Sequence, residues 1–511
     1  VCDMSEYSDA TEIARQQLNN ISDTMCYAKW SQVSLHLTNG MTQSCYHPPV
    51  HKIDVTEIYA NPGALHNTEQ KRTERAQMLA GERPKGCEYC WRIEDSGGTS
   101  DRVYRSGEYW AQNSRKDIIA STTKDLSINP RYVEVNFNQA CNFKCTYCSP
   151  HLSTTWETEV DLNGPLEIFD KNRNIIAHND PEYLDMPLKV AQKDNPYVDA
   201  FWRWWPDIYD NLEVFRMTGG EPLMDSNTFK VLDYIYEKPN AWLELSITTN
   251  LNPPKEALWD KFLTKMQMLE EIQIWESPRF NPGSGNNWYV NMAVKHTALF
   301  VSVDNVTDRA EYIRTGLDFV NLHKKSQEFL SKTLNTSITY INTFNVMSME
   351  GFTDYLKFIL QMRSEFSSEA QGTKYIEIYD EYNTHPDYEV HAKQRVWFDV
   401  PLLRYPDWMA INILDDTWCD VFTEALAFME ANLLQGEHNF VGFYDFEIEK
   451  VRRNLEWMTT EHQNMDENTL DINLVNLKHY TDQLDQRHGT DFAETFPRLH
   501  NYLDTNTGVS E

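Results

Sequence analysis

No run of 18 apolar residues occurs in this chain of 511 residues, which excludes an obvious membrane-spanning helix. Basic residues are scarce. Lys and Arg number 46 against 77 Asp and Glu, and the formal net charge of −31 argues against phosphate backbones and anionic membranes as partners. The amino-terminal stretch VCDMSEYSDATEIARQQ has neither a basic nor an apolar signal region, so no secretory signal and a cytoplasmic location are expected. Internal repeats and low-complexity tracts are also missing. A mean hydropathy of −0.60 beside 15 Trp, 26 Tyr and 23 Phe describes a polar surface over aromatic-rich interiors, not disorder. At roughly 150 residues per domain the length implies about three domains.

The nine cysteines are few, odd in number and unevenly spread: Cys2, Cys26, Cys45, Cys87, Cys90, Cys141, Cys145, Cys148 and Cys419. A secreted disulfide framework would be even and regular. At this frequency, two further cysteines at fixed offsets from a given one arise by chance about 3 times in 10,000, so CxxxCxxC at Cys141, Cys145 and Cys148 carries information. Three soft thiolates in so short a loop can converge on one metal centre. A [4Fe–4S] cube held by three cysteines leaves one iron open to a small molecule, whereas a structural zinc takes four protein ligands. His151 is the nearby fourth candidate, and a Cys₃His zinc site is the plainer alternative.

Tyr132 to Phe137 alternates as a strand should, so the triplet lies in the loop after a strand. Further strands are expected at Leu212 to Met217, Leu243 to Thr249, Ala298 to Asp304, Ser337 to Thr343 and Tyr375 to Tyr379, with helices between them such as Asn227 to Lys238 and Met349 to Phe366. That alternation implies parallel βαβ units with active groups at the carboxyl ends of the strands. Pro165 to Pro196 and Ser277 to Asn291 read as long loops or insertions. Beyond Pro401 helical spacing takes over, with Trp418, Val421, Phe422, Ala425, Met429 and Leu433 on one face and Cys419 expected among them as a buried small hydrophobe. Phe201 to Pro206 (FWRWWP) reads as helix packing.

Cys26 and Cys45 flank a hairpin built from Gln32 to Leu37 and the turn Thr38 to Gly40, and Cys87 and Cys90 form a CxxC knuckle. Four thiolates suit either zinc or a fully ligated [4Fe–4S] cluster. After the strand ending at Met217 comes Thr218 to Leu223 (TGGEPL), where two glycines expose bare backbone and Glu221 adds a carboxylate suited to an ammonium group.

CxxxCxxC after one strand and GGEP after the next resemble the radical S-adenosylmethionine (SAM) superfamily, with Tyr147 in its aromatic position. The resemblance implies a partial (β/α)₆ TIM-like barrel. It also implies a [4Fe–4S] cluster on Cys141, Cys145 and Cys148 whose open iron binds SAM, one-electron cleavage to a 5′-deoxyadenosyl radical, and hydrogen abstraction from a substrate. Gly219, Gly220, Glu221 and Pro222 would meet the methionine ammonium, Thr248 and Asn250 the ribose or carboxylate. By the same resemblance Ser302, Asp304 and Arg314 would be further SAM contacts, with Arg314 suited to the carboxylate. Cys26, Cys45, Cys87 and Cys90 resemble the twitch module of SPASM-type members, implying an auxiliary [4Fe–4S] cluster for electron transfer and leaving zinc as the alternative.

The expected layout is an α/β protein with a twitch-like module over 1–125, a radical SAM core over 126–390 and a helical extension over 391–511. A flavodoxin or ferredoxin electron donor and a peptide or protein substrate fit the resemblance. A small-molecule dehydrogenase, for example of an amino sugar, and a catalytically silent scaffold are the alternatives. Leu484 to Gly489 (LDQRHG) and Phe496 to Leu499 (FPRL) resemble the same group without a chemical role attached. His385 to Tyr388 borders the expected sixth strand, and Cys2 is expected to be a bystander.

Overall fold

The computed structural model describes residues 4–122, 125–178, 194–270, 293–367, 394–434 and 441–507. It is a mixed α/β chain. Thirteen strands are present among the described residues: β1 (Gln32–His36), β2 (Met41–Gln43), β3 (His51–Lys52), β4 (Tyr132–Asn136), β5 (Lys144–Cys145), β6 (Leu166–Phe169), β7 (Ile175–His178), β8 (Val214–Thr218), β9 (Asn240–Thr249), β10 (Val294–Ser302), β11 (Arg314–Thr315), β12 (Thr336–Ile341) and β13 (Val396–Asp399). None of the described helices is long and apolar enough to cross a membrane.

The chain divides into two compact units, the first comprising Val1–Asn138, Pro187–Gly219 and Asn240–Ser246, the second Gln139–Met186, Gly220–Pro239 and Ile247–Glu511. The boundary expected at 125/126 falls inside the first unit. The reason is strand pairing: β1 runs parallel to β4, so the hairpin that carries two cysteines is continuous with the strand that leads to the other three. The boundary expected at 390/391 lies outside the described residues.

In the first unit β1 pairs with β4 and β4 with β8, all parallel. Val33, Val133 and Phe215 share one register position, Leu35, Val135 and Met217 the next, and each is at most 1% exposed. The helix Pro196–Tyr209 covers this face, with Asn195 capping its first turn and Pro196 placed where no N–H is needed. Trp205 meets Phe215 edge-on at 4.7 Å and Phe201 meets Phe137 at 5.0 Å, so FWRWWP is packing, as expected.

The second unit holds parallel β10, β12 and β13, in which Val301, Tyr340 and Phe398 fall in register. Its principal helices are α1 (Thr154–Asn163), α2 (Ser226–Glu237), α3 (Glu256–Glu270), α4 (Phe319–Lys332), α5 (Phe352–Phe366), α6 (Cys419–Ala431), α7 (Asp445–Asn464) and α8 (Glu467–His488). Phe358 of α5 packs on Tyr340 at 5.0 Å, and Arg363 forms a fully buried pair with Glu447 of α7 at 2.6 Å.

Several expectations change. The stretch from Pro165 is not a simple loop: Leu166 and Ile168 alternate inward and β6 pairs antiparallel with β7. Cys419 opens α6 and is only partly buried, because the inward stripe is carried by Trp418, Phe422, Ala425 and Met429. Tyr375 to Tyr379, His385 to Tyr388, Ser277 to Asn291 and Cys2 lie outside the described residues. The edge position next to β12 is taken by β13.

Candidate functional site

The second unit carries the three-cysteine loop. Local hydrogen bonds shape it: the Cys148 amide donates to the Cys145 carbonyl at 2.9 Å, Phe143 N–H to Cys141 Sγ at 3.4 Å, and Trp156 Nε1 to the Cys145 carbonyl at 3.0 Å. Ser153 caps α1 by accepting from Trp156 N and donates to the Phe143 carbonyl at 2.6 Å, so the helix start and the loop are one device. β5 pairs antiparallel with β11, placing Cys145 opposite Arg314.

Burial pushes the Cys141 thiol up to about 12, only partly offset by the Phe143 N–H, and the neighbouring Cys145 adds to the rise. Cys148 is raised by burial and by both other thiols, which places the three within electrostatic reach of one another. Cys145 is raised by burial, with the Arg314 guanidinium pulling the other way. Arg314 reaches Cys145 Sγ at 3.4 Å and pairs with the fully buried Asp304 at 2.7 Å; its guanidinium lies 5.5 Å from the Tyr147 ring centroid. Tyr147 in turn donates to Asp304 at 2.8 Å, and Thr343 N–H does so at 2.8 Å.

The two glycines after β8 are demanded by the chain itself. A Cβ on Gly220 would stand 2.4 Å from the Ala140 carbonyl oxygen, and one on Gly219, which has φ +125°, 2.6 Å from Asn136 Oδ1. Glu221 is 1% exposed and donates its N–H to the Ala140 carbonyl at 2.7 Å. Its carboxylate accepts from Leu223 N at 2.9 Å, Thr249 Oγ1 at 2.7 Å and Asn250 N at 2.6 Å. Burial pushes it up to about 7 even against those three donors. Pro222 opens the following short 3₁₀ turn and is buried.

At the end of β9, Thr248 Oγ1 is buried without a hydrogen-bond partner. Asn250 is committed to the loop, donating to Asn142 Oδ1 at 3.0 Å and accepting from Asn252 N at 2.9 Å. Ser302 ends β10, half-buried. His151 keeps Nε2 buried and unbonded. Among the described residues no group of three or more His, Cys, Asp or Glu side chains closes on a single-ion position.

The first unit carries the four-cysteine site. Cys26, Cys45, Cys87 and Cys90 line one pocket, together with Lys29, His47, Trp91 and Arg102. Burial pushes Cys45 and Cys90 up to about 12 and Cys87 to about 11, and Cys26 adds to the rise at each. Lys29, 3% exposed and paired with Glu74, has Nζ 4.0 Å from Cys87 Sγ. Arg102 is paired with Glu94 at 2.8 Å and donates to the Met25 carbonyl at 2.7 Å. Trp91 is 5% exposed and forms part of the wall. Tyr89 is 39% exposed and contributes instead by stacking on His47 at 3.9 Å.

Sequence reasoning missed Ser153, Trp156, Lys29 and Glu74. The pattern Ser153-Thr-Thr-Trp-Glu157 is a readable helix start, but nothing in the sequence joins Lys29 to Cys87.

No family model matches the chain. The GTP 3′,8-cyclase of Campylobacter lari is 26% identical over 129 residues, covering 25% of this chain and 30% of that protein. Among solved structures, Streptococcus suis SuiB bound to S-adenosylmethionine aligns at 14% identity and TM-score 0.30, over 74% of each chain. SuiB bound to the precursor peptide SuiA aligns at 13% identity and TM-score 0.29, over 72% of this chain and 71% of that one. Superpositions this loose do not define a common fold. The sequence similarity supports the radical SAM resemblance carried by the three-cysteine loop and the GGEP turn.

Proposed function

We propose that this chain is a radical SAM enzyme in which Cys141, Cys145 and Cys148 hold a [4Fe–4S] cluster with one iron left for SAM. The observation that carries the reading is the thiol set: three soft donors in one loop, within electrostatic reach of one another, with the Arg314 guanidinium beside Cys145. Bound there, the cluster supplies one-electron reductive cleavage of SAM, which yields 5′-deoxyadenosine once a hydrogen atom has been taken from substrate.

The chain's own groups then have definite tasks. The thiols must lose their protons to become ligands, which Arg314 favours at Cys145. The backbone at Gly219 and Gly220 with the Glu221 carboxylate is the proposed ammonium site, and an ammonium there would draw the buried carboxyl back toward its ionised form. Thr248, whose hydroxyl is buried without a partner, is the proposed ribose or carboxylate contact, with Asn250 and Ser302 beside it in the assignment. Arg314, held by Asp304 and Tyr147, is the proposed carboxylate partner through the Nη1 side of its guanidinium, where one N–H is left over beside the contact to Cys145.

The four-cysteine cavity is proposed to hold an auxiliary [4Fe–4S] cluster that transfers electrons. Four thiols lining one pocket make a complete ligand set with no open position, and the family resemblance favours a fully ligated cube there over a single zinc ion. A flavodoxin or ferredoxin is the proposed donor, a peptide or protein side chain the proposed substrate on the family resemblance, and a partial barrel the proposed closure of the fold. Anaerobic reconstitution followed by iron and sulfide analysis tests the cluster count: about eight iron per chain is expected, and about four with one zinc would remove the electron-relay role.

A further inference from the structure

Helix α8 ends in the LDQRHG stretch, for which the proposed function has no use. Its inward face nevertheless touches the three-cysteine loop at several points within the second unit. The Tyr480 hydroxyl, 0% exposed, donates to the carbonyl of Thr146, the residue after Cys145. His488, with 4% of its side chain exposed, sets Nε2 at 3.0 Å from both carboxylate oxygens of Glu159 in α1, and Nδ1 at 3.3 Å from Thr315 Oγ1 in β11. Glu159 also pairs with Lys144 of β5. Burial pushes Glu159 up, yet the bonds from His488 and Lys144 outweigh it and hold the carboxyl down at about 2.

These contacts converge on the two-stranded ribbon that carries the site. Lys144 is the register partner of Thr315, and Cys145 that of Arg314. His488 therefore reaches both strands of the ribbon, through Glu159 at Lys144, one residue before the thiol, and directly at Thr315, one residue after the arginine that faces it. Tyr480 holds the peptide one residue after the thiol. Arg487 adds bonds to the Gly164 and Pro165 carbonyls at 2.9 and 3.0 Å, fixing the helix end over the far end of α1.

We infer that the end of α8 is a positioning element for the SAM-binding cluster, with Tyr480 acting on the Thr146 carbonyl after Cys145 and His488 acting through the side chains of Glu159, Lys144 and Thr315. The inference rests on the proposed SAM-site reading. Groups that orient a metal ligand from behind set its geometry and through it the electronic character of the centre. Only a cluster with an open iron responds to SAM, so the change that SAM induces in the electron paramagnetic resonance spectrum of the reduced holoenzyme reports on this site alone.

The test compares the reconstituted wild type with Tyr480→Phe and His488→Gln, using SAM as the probe. Tyr480→Phe removes one hydroxyl and keeps a ring beside His178, whose centroid is 5.6 Å away, and Trp408, at 6.2 Å. His488→Gln keeps a donor toward Glu159 and drops the second ring nitrogen facing Thr315. The expected result is full iron content, an altered SAM-induced spectrum in Tyr480→Phe with SAM bound about fivefold more weakly, and a smaller change of the same kind in His488→Gln. Wild-type spectra and affinity in both variants would overturn the inference, because a purely architectural helix would leave them unmoved. A wild type that shows no SAM response at all would instead overturn the proposed function.

Discussion

Two thiol sites in one chain are built on opposite plans. In the second unit three cysteines sit within eight residues, are all partly exposed, and depend on local bonds from Phe143, Ser153 and Trp156. In the first unit four cysteines come from segments far apart in sequence, three of the four are buried, and the cavity they line is completed by Lys29 and Arg102, each tied to a carboxylate. The first plan leaves a position for a substrate-like ligand, the second closes the set with protein. On the proposed function, the site that reacts is kept local and open, and the site that passes electrons is assembled from the tertiary fold.

The largest expected effect separates the two. Cys145→Ala should abolish 5′-deoxyadenosine formation, whereas Cys87→Ser with Cys90→Ser should lower the iron count from about eight to about four and preserve the SAM-induced spectral change. Equal loss of that change in both variants would break the distinction between the sites. Next comes the charge behind the reactive loop. Asp304→Leu strands the buried Arg314 guanidinium beside Cys145, and thermal unfolding should show a loss of about 4 kcal/mol, while Asp304→Asn should recover part of it.

Gly220→Ala tests whether the GGEP turn is built for its own chain. The new Cβ would lie 2.4 Å from a backbone oxygen that cannot swing away, so about 3 kcal/mol of stability should be lost even without SAM or iron. A neutral outcome would return the glycines to a purely ligand-facing role.

The smallest effect is a pH slope. Folding raises the Glu221 pKa from 4.5 to about 7, so the folded chain binds the proton more tightly. The stability this contributes is complete below about pH 4.5 and lost as pH rises through about 7, about 3 kcal/mol in all and most of it between pH 5 and pH 8. The cluster-free protein should melt at a lower temperature at pH 8 than at pH 5 on this account, and Glu221→Gln should flatten the difference. An unchanged slope in the variant would show that the carboxyl is not the group responsible.

Much of this was legible in the sequence where the physics is local. Period-two alternation located the strand at Tyr132, short apolar runs located those at Val214 and Thr336 to within a few residues, and the cysteine spacing singled out both thiol groups before any geometry. What stayed hidden is long-range. Nothing in Gln32 to His36 announces a parallel partner a hundred residues on, and that pairing made the hairpin continuous with β4 in one unit. Glu221 illustrates the same limit: its carboxylate reads as ligand-facing, yet three donors from its own chain already surround it. Nor does spacing tie His488 to Glu159 across more than 300 positions. Strand neighbours and helix docking are chosen by the whole core, not by the residues that make the contact.

The most direct test of the central claim is the yield of 5′-deoxyadenosine from SAM under dithionite, measured on anaerobically reconstituted protein beside Cys145→Ala. The account predicts accumulation in the wild type and none in the variant. A wild type with a full complement of iron that leaves SAM intact, or a variant that cleaves it equally well, would contradict the assignment of Cys141, Cys145 and Cys148 as the reactive centre.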